Sequence, residues 1–237
     1  MGDRGCRGRP RTGSLGWLGD QNWEGLLVFV SEFLGRKLDR RFRMLDSNRN
    51  GVIDERDFTL AAAGLASEFG HAPGSPRAQR LLNTHLATWK ELLRAADENG
   101  DGKVSPEEFK RAFTTTILVS QEAYERAYLP MLLEAIMMAD ADGDGELTAG
   151  EFQRLNTVYM HASAEDSADV FTRLDRDSSG TLTVQEISDA IREYYFSEDP
   201  AAPGNWLLGP PPVEAEVAPQ RQAQAEESII PEWHSPR

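Results

Sequence analysis

Oxygen-bearing side chains recur at one fixed spacing in four segments of the chain: loop one (46–57), loop two (97–108), loop three (140–151) and loop four (175–186). Each segment has Asp at position 1, an oxygen-bearing side chain at positions 3 and 5, Gly at position 6, an aliphatic residue at position 8 and a carboxylate at position 12. A hard divalent cation needs about six to eight oxygen ligands, and one continuous segment with this spacing can supply them. The chemistry that these residues predict is therefore cation binding at four loops.

Each loop position has its own predicted role. Side chains at positions 1, 3 and 5 turn inward, position 7 offers its backbone carbonyl, position 9 is often reached through water, and the carboxylate at position 12 reaches back from the outgoing helix. The predicted ligands are Asp46, Asn48, Asn50, Val52, Asp54 and Asp57 in loop one; Asp97, Asn99, Asp101, Lys103, Ser105 and Glu108 in loop two; Asp140, Asp142, Asp144, Glu146, Thr148 and Glu151 in loop three; and Asp175, Asp177, Ser179, Thr181, Thr183 and Glu186 in loop four.

The four loops are not equal in their ligands. Loops two and three are expected to bind most tightly, and loop four less tightly because Ser179 puts a hydroxyl at position 5. Loop one departs furthest, because Asp57 at position 12 is one methylene shorter than the Glu of the other loops. A shorter carboxylate is less able to bind through both oxygens, and Mg²⁺ tolerates the lower coordination better than Ca²⁺ does. We therefore expect loop one to be a mixed Ca²⁺/Mg²⁺ site or a weak Ca²⁺ site.

Apolar residues at helical spacing precede and follow every loop. Before loop one they are Leu38, Phe42 and Leu45, and after it Phe58 and Ala61 resume the pattern. Each stripe alone is only a core face, but together they predict a helix, a polar loop and a helix, four times. The residues at position 8 are expected to join the loops in pairs through short antiparallel bridges; they are Ile53, Val104, Leu147 and Leu182.

Two connections carry further signals. Residues 70–76 (GHAPGSP) predict a loop between the outgoing helix of loop one and the incoming helix of loop two. Pro130 predicts the start of the incoming helix of loop three, because a missing backbone donor costs nothing in a first helical turn.

Matched residue by residue, the four loops resemble the EF-hand. The resemblance implies an all-α fold, in which two pairs of helix-loop-helix hands pack in one compact body with short two-stranded bridges between paired loops. It also implies up to four bound Ca²⁺ ions. Residues 34–209 further resemble the sarcoplasmic calcium-binding protein and calerythrin group, because of the long gap between loops one and two, Asp57 at position 12, and the segment 197–209 after the last helix.

The chain divides into four predicted parts. Residues 1–25 are a Gly/Arg-rich leader without helical or strand periodicity, 26–116 hold the first pair of hands, 117–197 hold the second pair, and 198–237 form a Pro-rich acidic tail that is expected to be largely disordered. Two apolar islands in the tail, 205–209 (NWLLG) and 228–233 (SIIPEW), could dock onto the body or onto a partner.

Composition excludes several classes of protein. The 39 acidic residues exceed the 25 Lys and Arg, for a formal net charge of −14, which disfavours binding to nucleic acid or to an anionic membrane. Cys6 is the only cysteine, so no intrachain disulfide or cysteine-based metal cluster is possible. No apolar stretch is long enough to span a membrane. Because the sequence has no nucleophile elbow, phosphate loop or acid/base pair, we expect no enzymatic activity. We also expect a cytoplasmic protein and a monomer.

Three functions remain open at this stage. The first is a Ca²⁺ buffer that also binds Mg²⁺, which is favoured because the chain has only six methionines, whereas sensors use Met-rich grooves. Met137 and Met138 are interpreted as core. The second is a Ca²⁺ sensor that controls a protein target through a metal-dependent apolar surface or through the tail. The third is a core that holds a large organic ligand, as in coelenterazine-binding proteins. The interpretation that competes with this third function is that the aromatic residues form an ordinary core and that the histidines (His71, His85, His161) are surface or capping groups.

Overall fold

The computed structural model describes residues 31–209, with the side chain of Gln121 left aside. The predicted leader 1–25 and the apolar island 228–233 lie outside the described residues. Within the described range the chain forms helices with one small two-stranded sheet, which confirms the expected all-α class. The helices are α1 (Glu32–Leu45), α2 (Glu55–Glu68), α3 (Pro76–Ala96), α4 (Pro106–Ala112), α5 (Gln121–Ala127), α6 (Leu129–Ala139), α7 (Ala149–Tyr159), α8 (Ala164–Leu174) and α9 (Val184–Phe196).

Each of the four predicted cation-binding loops fixes where its two helices end and begin. The incoming helices all end at the Asp of position 1, and the outgoing helices all begin directly after position 9, whose side-chain oxygen accepts a backbone N–H of the first helical turn. The C-cap residues are Asp46, Asp97, Asp140 and Asp175, and the N-cap residues are Asp54, Ser105, Thr148 and Thr183. Loop and helices are therefore one local unit, defined by residues within the loop itself.

The loops pair as their aliphatic residues at position 8 predict. Ile53 and Val104 exchange two backbone hydrogen bonds of 2.9 Å in an isolated antiparallel bridge. Strands β1 (Glu146–Thr148) and β2 (Thr181–Thr183) are antiparallel, with Leu147 opposite Leu182. All four aliphatic side chains are buried. Loop one therefore pairs with loop two, and loop three with loop four.

The two pairs of hands share a single core. Helix α3 of the first pair packs against α6 of the second, α2 packs against α7, and α1 contacts α9. One cluster of buried apolar side chains runs from Leu34 to Leu208. The expectation of two pairs in one compact body is thus confirmed, since burial of apolar surface between the pairs favours their close packing.

The segment between loops two and three is broken into short pieces. Helix α4 continues as a π-helix (Phe113–Ile117), in which the N–H of Leu118 bonds to the carbonyl of Phe113. Helix α5 follows, and Pro130 lies in the first turn of α6 as the sequence predicts. The predicted loop at residues 70–76 is also present, since α2 ends at Glu68 and α3 begins at Pro76. The boundary between the pairs at residues 116 and 117 falls within the π-helix and stays a prediction.

The packed body extends beyond residue 197, where the sequence analysis ends it. A short 3₁₀ helix (Pro203–Trp206) lies against α8 and α9, and Leu207 and Leu208 are buried. The apolar island 205–209 is therefore part of the core. Gly204 makes this docking possible, because a Cβ at that position would overlap the Cβ of Glu193 and the carbonyl of Ala190. Of the two alternatives that the sequence leaves open for this island, docking on the body is the one that the structure shows.

Two interpretations of single residues are wrong. Met138 is buried, but Met137 is 47% exposed and is not part of the core. His85 is neither a surface nor a capping residue, because it is 0% exposed at the centre of the body. Its Nδ1 lies 2.9 Å from the carbonyl of Leu81, and its Nε2 lies 2.9 Å from the hydroxyl of Tyr159. None of the helices in the range 31–209 combines the length and apolar composition that crossing a bilayer requires.

Candidate metal centres

Each loop is closed by hydrogen bonds to the Asp at position 1. One oxygen of this carboxylate accepts the N–H of the Gly at position 6, at 2.9 Å in loop one, 3.1 Å in loops two and three and 3.0 Å in loop four. The glycines at position 6 have φ between +75° and +88°, a conformation that an L side chain resists. The backbone thus wraps around the first carboxylate, and the side chains at positions 3 and 5 cap successive turns of the loop.

The carboxylate at position 12 links the end of the loop to its beginning. In loop two, Glu108 Oε2 accepts the N–H of Ser105 at 2.9 Å and its hydroxyl at 2.8 Å, while Oε1 accepts the N–H of Glu98 at position 2. Glu151 and Glu186 make the same contacts in loops three and four. These contacts form a capping box with the residue at position 9. These contacts fix the orientation of the last predicted ligand within its loop.

These hydrogen bonds favour the ionised form of Glu108 and Glu151. The backbone N–H of Ser105 is the largest cause that lowers the pKa of Glu108. For Glu151, burial acts in the opposite direction, but the N–H groups of Thr148 and Ala141 outweigh it and lower the pKa of the carboxyl. A carboxylate that stays ionised is the form that a divalent cation binds.

Loop one uses the same frame with a shorter acid. Asp57 is 0% exposed, and its Oδ2 accepts the N–H of Asp54 at 2.9 Å. Its Oδ1 accepts the N–H of Asn48 at position 3, at 3.1 Å, whereas the longer glutamates bond to the N–H at position 2. The N–H of Ser47 turns instead to the carbonyl of Leu45. Burial raises the pKa of Asp57, which is opposite to the shift at Glu108 and Glu151.

Carboxylates converge most closely in loops three and four. Oxygen atoms of Asp140, Asp142 and Asp144 lie within 4.8 Å of one another, and so do oxygens of Asp175, Asp177 and Glu186. Three like charges at this separation repel one another, and a divalent cation with oxygen ligands at about 2.3–2.6 Å would remove that repulsion. The residues present therefore fit a Ca²⁺ ion. In loop four the cluster includes Glu186, which is the carboxylate at position 12. The ranking of the four affinities stays a prediction.

Sequence reasoning missed a second position with left-handed backbone in every loop. Position 4 has positive φ in all four loops: Arg49 at 58°, Gly100 at 74°, Gly143 at 78° and Ser178 at 57°. The glycines of loops two and three were the available signal. Arg49 and Ser178 adopt the left-handed conformation at a cost of about 1–2 kcal/mol each, so loops one and four carry backbone strain that loops two and three avoid.

Comparison with known proteins agrees with this geometry. A family model described as an EF-hand domain pair matches residues 36–114, and a model described as an EF hand matches residues 133–156 and 168–189. These ranges contain all four loops. The matched families are of binding proteins rather than enzymes, which agrees with the expected lack of catalytic activity.

Individual relatives cover most of the chain. Calerythrin of Saccharopolyspora erythraea is 29% identical over 161 residues, which are 68% of this chain and 90% of that protein. The structure of a calcium-binding protein of Streptomyces coelicolor is 32% identical, with a TM-score of 0.60 over 69% of this chain and 98% of that chain. A sarcoplasmic calcium-binding protein from amphioxus is 20% identical, with a TM-score of 0.61 over 78% of this chain and 100% of that chain, and so shares the fold. With its four closed loops and these matches, the chain belongs to the EF-hand calcium-binding proteins.

Proposed function

We propose that this protein is a cytoplasmic Ca²⁺ buffer that also binds Mg²⁺, with ligands at positions 1, 3, 5, 7, 9 and 12 of each loop. The observation that carries the proposal is the covered apolar face of the fourth hand, which consists of α8, loop four and α9. A sensor answers Ca²⁺ by exposing a hydrophobic groove to a target, whereas buffer EF-hands barely open. In this protein the chain itself covers the surface that such a groove would need.

The cover is the segment 202–209, which packs along α8 and α9. Leu207 and Leu208 are buried in the shared core. The N–H of Gly204 donates to Glu193 Oε2 at 2.8 Å, and the guanidinium of Arg173 lies 3.7 Å from the ring centre of Trp206. Polar and apolar contacts thus hold the segment on the same two helices that a target would contact.

The rest of the described surface offers little to a hydrophobic partner. The large hydrophobic residues exposed in the range 31–209 are Leu60 in α2, Met137 in α6 and Val119 in the connection before α5. Single exposed apolar side chains are ordinary on protein surfaces. The net charge of −14 would fall to −6 with four divalent cations bound, which relieves self-repulsion without any partner.

The experiment is a calorimetric titration of the metal-free full chain with Ca²⁺, alone and in millimolar Mg²⁺, with fluorescence of a hydrophobic dye followed in parallel. We expect three or four sites, weaker Ca²⁺ binding in Mg²⁺, and little change in dye fluorescence when Ca²⁺ replaces Mg²⁺. Sites indifferent to Mg²⁺ together with a large dye response would overturn the buffer proposal.

A matched pair of glycine variants calibrates the dye signal. Gly204→Ala introduces a methyl group that overlaps Glu193 and backbone of α9, so it should displace the segment and raise dye fluorescence. Gly150→Ala, in α7, meets nothing within 4 Å and should leave the fluorescence unchanged. An unaltered signal in both variants would show that the segment does not cover an apolar surface in solution.

A second candidate function is a Ca²⁺ sensor that regulates a protein target. It is favoured by the relative from Streptomyces coelicolor, which is described in terms of prokaryotic calcium-mediated regulation. If this chain acts similarly, Ca²⁺ should raise the dye fluorescence of the wild-type protein to the level of Gly204→Ala. The third possibility, a core that holds a large organic ligand, has less support. The core cavity lined by Phe152, Ile187 and Leu207 has a volume of about 40 Å³, whereas pockets for drug-sized ligands measure about 300–1,000 Å³.

A further inference from the structure

We propose that Glu193 is a positioning residue for Ca²⁺ binding at loop four. It holds the guanidinium of Arg176 away from the ligand carboxylates, and the C-terminal segment 202–209 holds Glu193 in turn. Arg176 is at position 2 of the loop, between the predicted ligands Asp175 and Asp177. The proposal rests on Ca²⁺ binding at loop four, which is part of the function proposed above. It extends the role of the segment from covering an apolar surface to supporting the neighbouring site.

Loop four alone among the four loops has a cation at position 2. The residues at this position of loops one, two and three are Ser47, Glu98 and Ala141. In loop four, oxygens of Asp175, Asp177 and Glu186 lie within 4.8 Å of one another. Such a cluster attracts a guanidinium, which can bind a carboxylate through two parallel hydrogen bonds. An arginine bound there would compete with Ca²⁺ for the same oxygens.

The guanidinium of Arg176 is bound to the outgoing helix instead. Its Nη2 donates to Oε1 of Glu193 in α9 at 2.7 Å, about two helical turns beyond position 12. The backbone N–H of Arg176 donates to Oε1 of Glu186 at 3.1 Å. The main chain of Arg176 therefore contacts the last predicted ligand, whereas its positive charge is paired with a carboxylate outside the loop.

The ion pair gains definition from a second contact of Glu193. The side chains of Arg176 and Glu193 are 40% and 23% exposed, and exposed pairs are generally weak because holding two long side chains together costs entropy. Here Oε2 of Glu193 also accepts the N–H of Gly204 at 2.8 Å. Gly204 lies so close to α9 that a Cβ on it would overlap the Cβ of Glu193. The docked segment therefore fixes the carboxylate that Arg176 binds.

The segment is anchored by contacts that do not involve Glu193. Leu207 and Leu208 are buried in the shared core, and the ring of Trp206 lies against the guanidinium of Arg173 in α8. The N–H of Gly204 is thus presented to α9 by a piece of chain that is already ordered. Glu193 can bind this N–H through one oxygen and Arg176 through the other, which a neutral amide with a single acceptor oxygen could not do.

The test is a double-mutant cycle on the full chain, followed by NMR during titration with Ca²⁺. The N–H of Gly180 donates to Oδ2 of Asp175 at 3.0 Å, so the amide signal of Gly180 reports loop four. The amide signals of Gly102 and Gly145 report loops two and three in the same way. Glu193→Gln should lower the Ca²⁺ affinity at loop four by about tenfold, as expected for loss of an outer-shell partner. The affinities at loops two and three should not change.

The second arm of the cycle repeats Glu193→Gln in an Arg176→Gln background. There the loss of affinity should shrink to less than about twofold, because no guanidinium remains to occupy the ligand oxygens. A tenfold loss that persists in this background would overturn the proposal, since Glu193 would then act through its charge or through folding. Unchanged affinity in Glu193→Gln alone, or a wild-type loop four that binds no Ca²⁺, would also overturn it. The buffer proposal is judged separately, from the dye response of the wild-type protein.

Two further variants separate the effects of charge and of the segment. Asp189→Asn removes a charge of α9 that pairs with Arg192 at 3.0 Å, and it should leave the affinity at loop four within about twofold of the wild type. Equal losses in Asp189→Asn and Glu193→Gln would overturn the proposal in favour of a general charge effect. Gly204→Ala displaces the segment without changing any charge and should lower the affinity by about two- to fivefold, the range of an exposed ion pair. Unchanged affinity in Gly204→Ala would overturn the role assigned to the segment.

Discussion

Loops one and three have the same backbone frame but hold their last carboxylate differently. In both, the Asp of position 1 accepts the N–H of the Gly at position 6, and the residue at position 9 caps the outgoing helix. Glu151 of loop three bonds to the N–H at position 2, whereas the shorter Asp57 of loop one bonds to the N–H at position 3. The pKa of Glu151 is lowered by backbone N–H groups that outweigh its burial, and the pKa of Asp57 is raised by burial.

The difference shows how one methylene changes a site whose spacing is otherwise identical. The longer side chain reaches the N–H at position 2 and keeps 8% of its surface exposed, while the shorter one stops at position 3 and is 0% exposed. Loop three also has Gly143 where loop one has Arg49 in a left-handed conformation. Loop one is therefore the more strained of the two, and its last ligand is the less inclined to be ionised.

The largest expected effect is the loss of Ca²⁺ binding at loop three in Glu151→Gln. The glutamine can keep the contact with Thr148 but removes one charge and one strong ligand. Calorimetry should show Ca²⁺ affinity at one site lower by about 100-fold or more, since loss of even an outer-shell partner costs metal sites about 10- to 100-fold. Asp57→Asn should cost loop one less, because we expect that site to bind its ion with fewer oxygens.

The control for this pair is Glu165→Gln, which removes the same charge at an exposed position of α8 that is not in a loop. It should leave all site affinities unchanged. Equal losses in Glu151→Gln and Asp57→Asn would break the comparison between the two loops.

A smaller effect in the opposite direction is expected for Asp57→Glu. Restoring the missing methylene should raise Ca²⁺ affinity at loop one by about tenfold and reduce the competition by Mg²⁺, because a bidentate glutamate suits the larger ion. The position is fully buried, so the metal-free protein should lose about 1–3 kcal/mol of stability from overpacking. Titration with Ca²⁺ in the presence and absence of Mg²⁺, with urea unfolding in chelator, measures both. Unchanged competition by Mg²⁺ would show that side-chain length does not set selectivity here.

The third prediction concerns the backbone at position 4. Gly143→Ala should destabilise the metal-free protein by about 1 kcal/mol, because the alanine must adopt a left-handed conformation. A Cβ at Gly143 meets nothing within 4 Å, so no steric clash contributes. Arg49→Ala should change the stability much less, since both residues bear a Cβ in the same conformation. Urea unfolding in chelator compares the two, and a similar loss in both would contradict the assigned strain.

The smallest effect is expected for Arg49→Gly. Glycine relieves the left-handed strain but is also more flexible in the unfolded chain, so the net gain in the free energy of unfolding should stay below about 1 kcal/mol. The same urea experiment measures it, with Gly143→Ala as the reverse change. A loss of stability would show that the side chain of Arg49 makes a contribution larger than the strain.

The sequence by itself determined the local units of this protein. Loop spacing, the helices on either side, the paired aliphatic residues such as Ile53 and Val104, and the start of α6 near Pro130 all followed from short-range rules. These rules suffice because each cap, turn and bridge depends on residues within a few positions or on a partner loop of the same type. The membership of the family follows from the same residues.

Only the tertiary structure decided what lies between these units. His85 looks like an ordinary helical polar residue, but it is 0% exposed and its Nε2 lies 2.9 Å from the hydroxyl of Tyr159 in α7. The segment 202–209 looked like part of a Pro-rich tail until Gly204 allowed it to approach α9. The reason is physical: burial is decided by contacts between elements distant in sequence, and no periodicity within one helix or tail specifies which surface will cover it.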